Sequence, residues 1–160
     1  MGAEAENLSE KTVYVYDFAE LDSVPEGQLS GKVTPNNNVS KKSSSFGAAI
    51  TGEAMHVGLI RKAPGSGSKP HTHPNEQFSF VLEGALLYEF EDQDCLVTPG
   101  TVIHIPANVV HSSCATGDGE ALFFVCKDVR GGLAGPPVDG IEDGPRYLPG
   151  YGPNGKLEDE

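Results

Sequence analysis

Two histidines one residue apart, His71 and His73, stand in the run Gly65-Ser-Gly-Ser-Lys-Pro-His71-Thr-His73-Pro-Asn-Glu76-Gln77. A third, His111, closes Pro106-Ala-Asn-Val-Val-His111. Imidazole is the commonest metal-ligating side chain. Three of them beside the amide of Gln77 make a candidate mononuclear transition-metal site. In an extended segment, side chains at i and i+2 share a face. His71 and His73 are then predicted to aim into one space, with Gln77 at the same parity. Glu76, the obvious carboxylate ligand, has the opposite parity and is predicted to point away. Along the strand that follows, Gln77, Ser79 and Val81 are predicted inward, and Phe78, Phe80 and Leu82 outward.

Other side chains are candidates around that centre. His104 in Val102-Ile-His-Ile-Pro106 and His56 in Ala54-Met-His-Val-Gly58 are candidate proton carriers. The plainer alternative for each is a histidine packed or exposed on the outer face. Arg61, with Lys62, is a candidate carboxylate binder, against the alternative of a solvated strand end. Tyr88 and Phe124 are candidate pocket walls, although alternation does not choose between Phe123 and Phe124.

The elements that must position these residues are strands. Residues 46–130 are short runs rich in β-branched and aromatic residues, punctuated by Gly, Pro, Asn and Asp. Strands are expected at 54–61, 77–82, 85–90, 95–98, 101–105 and 121–128, the pattern of an antiparallel sandwich or barrel. Residues 1–45 form an N-terminal arm with one expected strand, Thr12–Phe18, and a polar loop around Pro35–Ser45. Residues 131–160 contain eight Gly and five Pro, which argues against a regular helix. Apolar residues including Leu133, Val138, Ile141 and Tyr147 are interspersed there, so this arm is expected to pack on the barrel or on a partner subunit.

Bulk properties narrow the partners. The net charge of −12 repels nucleic acid and anionic membranes. No apolar run is long enough to span a bilayer as a helix. Three cysteines without a close pair argue against a disulfide framework. The opening Met-Gly-Ala-Glu-Ala-Glu-Asn has neither the basic nor the apolar part of a secretory signal, so a cytoplasmic location is expected.

The spacing also carries a resemblance. Gly65-x5-His71-x-His73-x3-Gln77-x6-Gly84 resembles the first signature of the cupins, and Gly100-x5-Pro106-x-Asn108-x2-His111 resembles the second. The resemblance spans roughly residues 46–130, as in a small single-domain cupin. It implies an all-β fold, the double-stranded β-helix or jelly-roll barrel, with one divalent metal ion (Fe, Mn, Ni, Co, Cu or Zn) inside one end. The implied ligands are His71, His73, Gln77 and His111. It also implies a homodimer, with Thr12–Phe18 or the C-terminal arm engaging the partner.

Two positions depart from the family pattern. Gln77 stands where Glu is usual, so a divalent ion there keeps its full charge and acts as a stronger Lewis acid. Asn108 stands where Gly is usual, and Asn tolerates the left-handed turn. Three functions are compatible with such a site. The first is Lewis-acid chemistry on a small keto, enol or hydroxy acid by a lyase, isomerase or cyclase. The second is a non-haem dioxygenase cleaving a chelating substrate. The third is a non-catalytic small-molecule binding or sensing module.

Overall fold

The computed structural model describes residues 15–23, 33–34, 43–132 and 134–158. It is built almost entirely of antiparallel strands. One sheet has six strands, ordered β1 (Val33–Thr34), β2 (Ala49–Thr51), β3 (Met55–Lys62), β10 (Ala121–Asp128), β5 (Gln77–Glu83) and β8 (Val102–Ile105). The other has five, ordered β11 (Arg146–Tyr147), β4 (Ser66–Gly67), β9 (His111–Ala115), β6 (Leu86–Phe90) and β7 (Asp94–Val97). A small hairpin, β12 (Tyr151–Gly152) with β13 (Gly155–Lys156), follows. This is the expected jelly-roll barrel.

Alternation along the strands decides what the barrel encloses. On β5, Gln77, Ser79 and Val81 are buried, while Phe78, Phe80 and Leu82 are exposed on the outer face. The period of two in side-chain direction makes this the natural reading of the run. The apolar core gathers Val81, Leu86, Tyr88, Val97, Ile103, Ile105, Ala115, Ala121 and Phe123 from both sheets. Each Val, Leu, Ile or Phe side chain among them, fully buried, contributes about 1.5–3 kcal/mol. The core therefore fills part of the barrel, and the polar inward residues are gathered in the remainder.

Turn chemistry fixes the register. Gly84, between β5 and β6, has φ 72°, and a Cβ there would lie 2.3 Å from the Glu120 carbonyl oxygen. Asn108 adopts φ 65° in the turn before β9, the left-handed conformation that its side chain tolerates. Its backbone N–H donates to the His73 carbonyl at 2.9 Å, tying the two histidine-bearing segments together.

The N-terminal strand expected at Thr12–Phe18 is corrected. Residues 12–14 lie outside the described residues, Val15–Asp17 have no regular structure, and Phe18–Ser23 is a short helix, α1. Asp17 caps it. Its Oδ1 accepts from the Ala19 N–H at 2.9 Å, and its carbonyl accepts from Glu20 and Leu21 at 3.1 Å. A capping aspartate outweighs the strand preference of the residues before it. The other strand expectations meet β3, β5, β6, β7, β8 and β10 to within a residue at each end. Strands β2, β4 and β9 were not expected.

The segment 134–158 runs along the barrel. Strand β11 pairs with β4, and the Val138 N–H donates to the Pro70 carbonyl at 2.9 Å. Lys69 pairs with Asp139 and Asp143. Arg146 pairs with Glu89, which also accepts from Ser112 Oγ. Leu133 lies outside the described residues.

Candidate metal centre

The two histidine segments meet backbone to backbone. His71 and His111 form an antiparallel bridge, each N–H donating to the other's carbonyl at 3.0 and 3.1 Å. His73 follows two residues later on the same face as His71. Ring centroids lie 4.3 Å apart for His71 and His111, 4.9 Å for His73 and His111, and 5.9 Å for His71 and His73. One ligand nitrogen from each ring lies within 4.8 Å of the other two.

Which nitrogen each ring offers is fixed by the backbone. The Nδ1 of His71 lies 2.7 Å from the Lys69 carbonyl, that of His73 2.8 Å from the Asn75 carbonyl, and that of His111 2.9 Å from the Val109 carbonyl. A carbonyl only accepts, so every Nδ1 carries the hydrogen and every Nε2 carries a lone pair. Orienting a ligand through the far nitrogen is how metal-binding histidines are held. The Nε2 of His73 is buried and has no hydrogen-bond partner. A buried acceptor left unmet costs free energy, and a cation at the convergence of the three rings would satisfy it.

The protonation states agree with this geometry. Burial pushes His71 down to about 4 and His111 down to about 3, and it lowers His73 as well. The three rings are neutral near pH 7, the form that binds a metal. Gln77, also buried, lines the same cavity, and its Nε2 donates to Ser79 Oγ at 2.9 Å. With Nε2 donating to Ser79, Oε1 is the acceptor left for a cation. The described donor set of three neutral imidazoles and a neutral amide fits a divalent transition ion.

His71 and His111 line a cavity of about 560 Å³ between the two sheets. Ile60, Phe123 and Val125 form much of its apolar wall, and Tyr88 is buried against it. Residues 58–126 match the model of the cupin domain family. The chain carries a cupin domain.

Solved structures agree with that domain in fold. The polyketide cyclase RemF from Streptomyces resistomycificus is 16% identical, with a TM-score of 0.60 over 75% of this chain and 82% of that one. KdgF from a Halomonas species is 19% identical, with a TM-score of 0.51 over 61% and 87%. A cupin-like protein from Thermotoga maritima is 24% identical, with a TM-score of 0.42 over 59% of this chain and 64% of its own, so the chain spans less than two thirds of its length. No curated protein matches the sequence. Among the described residues, no helix is long and apolar enough to cross a membrane.

Around the three histidines, the structure places the other candidates differently from one another. His56 lines the cavity. Its Nδ1 lies 2.8 Å from Thr51 Oγ1 and its Nε2 3.2 Å from the Gly131 carbonyl, so both ring nitrogens are engaged. Tyr88 also lines the cavity and is bonded to Ser79 and Ser113.

Three candidates point elsewhere. His104 is on the outer face, stacked on Phe78 at 4.5 Å between centroids and 2.6 Å from Glu76 Oε1. Its neighbours Ile103 and Ile105 are the inward residues of β8, so strand parity turns His104 out. Arg61 is likewise outward, donating to Glu120 at 3.0 Å. Phe124 is replaced on the cavity wall by Phe123, which shares the inward parity of Val125 and Lys127 on β10.

Lys62, a candidate carboxylate binder with Arg61, lines the cavity, and so does Lys127, which the sequence pattern did not mark as a cavity residue. Both are buried, and burial lowers each to about 8. The signal was parity. Lys62 shares the phase of His56 on β3, and Lys127 sits in cross-strand register with His56 on one side and Gln77 on the other. A lysine amid strand residues reads by default as exposed, and that prior hid their burial.

Proposed function

We propose that the chain is a mononuclear metal-dependent enzyme that acts on a small keto, enol or hydroxy acid by Lewis-acid chemistry, as a lyase, isomerase or cyclase. The observation that carries this reading is the convergence of three imidazole Nε2 atoms, each presented by an Nδ1–carbonyl hydrogen bond, at the wall of a ligand-sized cavity. His71, His73 and His111 would hold the ion, with Gln77 as the fourth ligand. A divalent ion bound there supplies a Lewis acid that polarises a carbonyl oxygen and stabilises developing negative charge.

The chain's own residues supply the remainder. The neutral amide at Gln77 leaves the centre's positive charge undiminished, which favours anionic oxygen ligands over neutral ones. Ile60, Phe123 and Val125 keep the cavity dry, which strengthens every charge interaction inside it. Tyr88 and Lys127 are the proton-bearing groups on the wall beside the histidines. His56 orients its neighbourhood through Thr51 and Gly131.

The chain is also proposed to work as a homodimer. The outer face of the six-stranded sheet supports this, since Phe78, Phe80 and Val102 lie side by side on it and are exposed.

The test is a metal assay followed by substrate screening. Protein loaded in turn with Fe, Mn, Ni, Co, Cu or Zn is offered keto, enol and hydroxy acids with and without air. Turnover under strict anaerobiosis is the expected result. Turnover that requires oxygen, with matching oxygen consumption, would replace this reading by the dioxygenase. A tight ligand recovered unchanged would replace it by the binding module.

A further inference from the structure

We infer that Lys62 is a specificity-determining residue, and that the cavity takes an organic acid with two separated acidic groups, one at the histidine centre and the second on the Lys62 ammonium. This rests on the proposed metal-dependent reading and names its substrate class.

Lys62 is 3% exposed, and its side chain enters the cavity from the end of β3 opposite His56. Its Nζ donates to the Ser113 carbonyl at 2.9 Å and to Ser113 Oγ at 2.6 Å. An ammonium has three donors, so these two bonds fix its position and leave a third. No carboxylate among the described residues pairs with it, although the chain carries twelve more negative than positive charges. Lys127 and Arg146, whose charges act on it, are also cationic.

A buried ammonium without a counter-charge is costly. Chains tolerate one where something outside the fold supplies the partner, and the cavity that Lys62 lines is where such a partner can reach it. The Phe123 ring, 5.9 Å from Nζ, adds a weaker attraction.

The fold places the second group close to the first. On β9, Ser113 follows His111 by two residues at the same parity, and both line the cavity with Lys62. Because Lys62 Nζ is bonded to Ser113, the ammonium stands beside the histidine centre. At about 3.3 Å per residue the backbones of His111 and Ser113 are roughly 7 Å apart, a separation that a short dicarboxylate matches. Ile60, Phe123 and Val125 supply the apolar wall alongside. A monoacid satisfies only one of the two groups.

The experiment compares straight-chain dicarboxylates from succinate to adipate with monoacids of equal length and with the neutral diamides. Calorimetry is run on zinc-loaded and on metal-stripped protein, for wild type and Lys62→Met. The Met variant keeps the stem and removes the charge. In zinc-loaded wild type the best diacid should bind about tenfold or more tighter than its monoacid, the range of one hydrogen bond to a charged group. Lys62→Met should erase that preference while zinc affinity and monoacid affinity stay within about threefold.

A preference that survives in Lys62→Met, or no preference at any chain length in wild type, overturns the inference. A loss of zinc affinity in Lys62→Met with diacid preference unchanged would show that Lys62 only positions β9 through Ser113, and also overturns it. Should Lys62→Met fail to fold, the wild-type comparison of diacid with diamide decides alone. If zinc does not bind at all, the metal reading fails. In that case a Lys62-dependent preference of the stripped protein for acids over diamides still supports the subsite, and its absence removes it.

Discussion

At the residue scale, tautomer control at the three histidines supports their proposed role as ligands, since each ring keeps an unprotonated Nε2. Replacing His73 or His111 by Ala is expected to abolish metal uptake, measured by mass spectrometry of the dialysed protein, while the circular dichroism of the barrel persists. Glu76→Ala is the control, since Glu76 faces outward against His104 and should retain metal fully. Loss of metal in Glu76→Ala would show that the inward phase of β5 is misassigned. The imidazoles also set a pH dependence in metal-stripped protein. In the fold, His71 and His111 resist protonation down to about 4 and about 3, whereas their ordinary value is 6.5. Between those limits the unfolded chain binds more protons than the fold, so stability falls as pH falls through that window. Urea midpoints of stripped protein should drop steadily from pH 6.5 toward 4, and metal should blunt the drop. A flat profile would mean that the rings are solvated. The ligand triad was legible in the sequence because imidazole spacing is a sharp signal. The burial of Lys62 and Lys127 was not, because a buried lysine is rare enough that composition argues against it.

At the element scale, legibility followed alternation. Strand β5 announces its phase, with polar or small residues inward and phenylalanines outward. Strand β9, His-Ser-Ser-Cys-Ala, is buried at every position and has no apolar period, so nothing in the sequence marked it as a strand apart from the histidine at its start. Strand β10 is apolar on both faces through Leu122–Val125, and there the packing of the strand between β3 and β5 put Phe123, with Val125 and Lys127, on the cavity wall. Such a choice is made by packing across the sheet, which a single strand's sequence does not contain. The turns make a sharper prediction. Gly84→Ala places a Cβ against the Glu120 carbonyl in a left-handed backbone and should cost about 1–3 kcal/mol in chemical denaturation. Asn108→Gly keeps the turn and should shift stability by less than about 1 kcal/mol. Equal effects from the two changes would contradict the turn geometry described here.

At the scale of the whole molecule, the Gly- and Pro-rich C-terminal segment is not a loose appendage but packs directly against the histidine cluster. Pro137 bridges to His71, Val138 bonds the Pro70 carbonyl, and Lys69, whose carbonyl orients the His71 ring, is held by Asp139 and Asp143. The segment approaches so closely at Gly135 that a Cβ would lie 1.9 Å from the Thr72 carbonyl oxygen and 3.3 Å from His73 Cβ. A backbone oxygen cannot give way as a flexible side chain can. The richness in glycine, which from sequence alone suggested only irregular structure, therefore permits close contact at the site. Gly135→Ala should displace the segment from Thr72–His73, and two consequences should appear together. Metal affinity should fall by about tenfold or more, as it does when groups that orient metal ligands are disturbed, and limited proteolysis should cut within residues 134–158 sooner than in wild type. Arg146→Ala loosens the same segment at its far end, where Glu89 holds it, and should speed proteolysis while leaving metal affinity nearly unchanged. If Gly135→Ala speeds cleavage yet binds metal as tightly as wild type, the segment covers the barrel without shaping the centre.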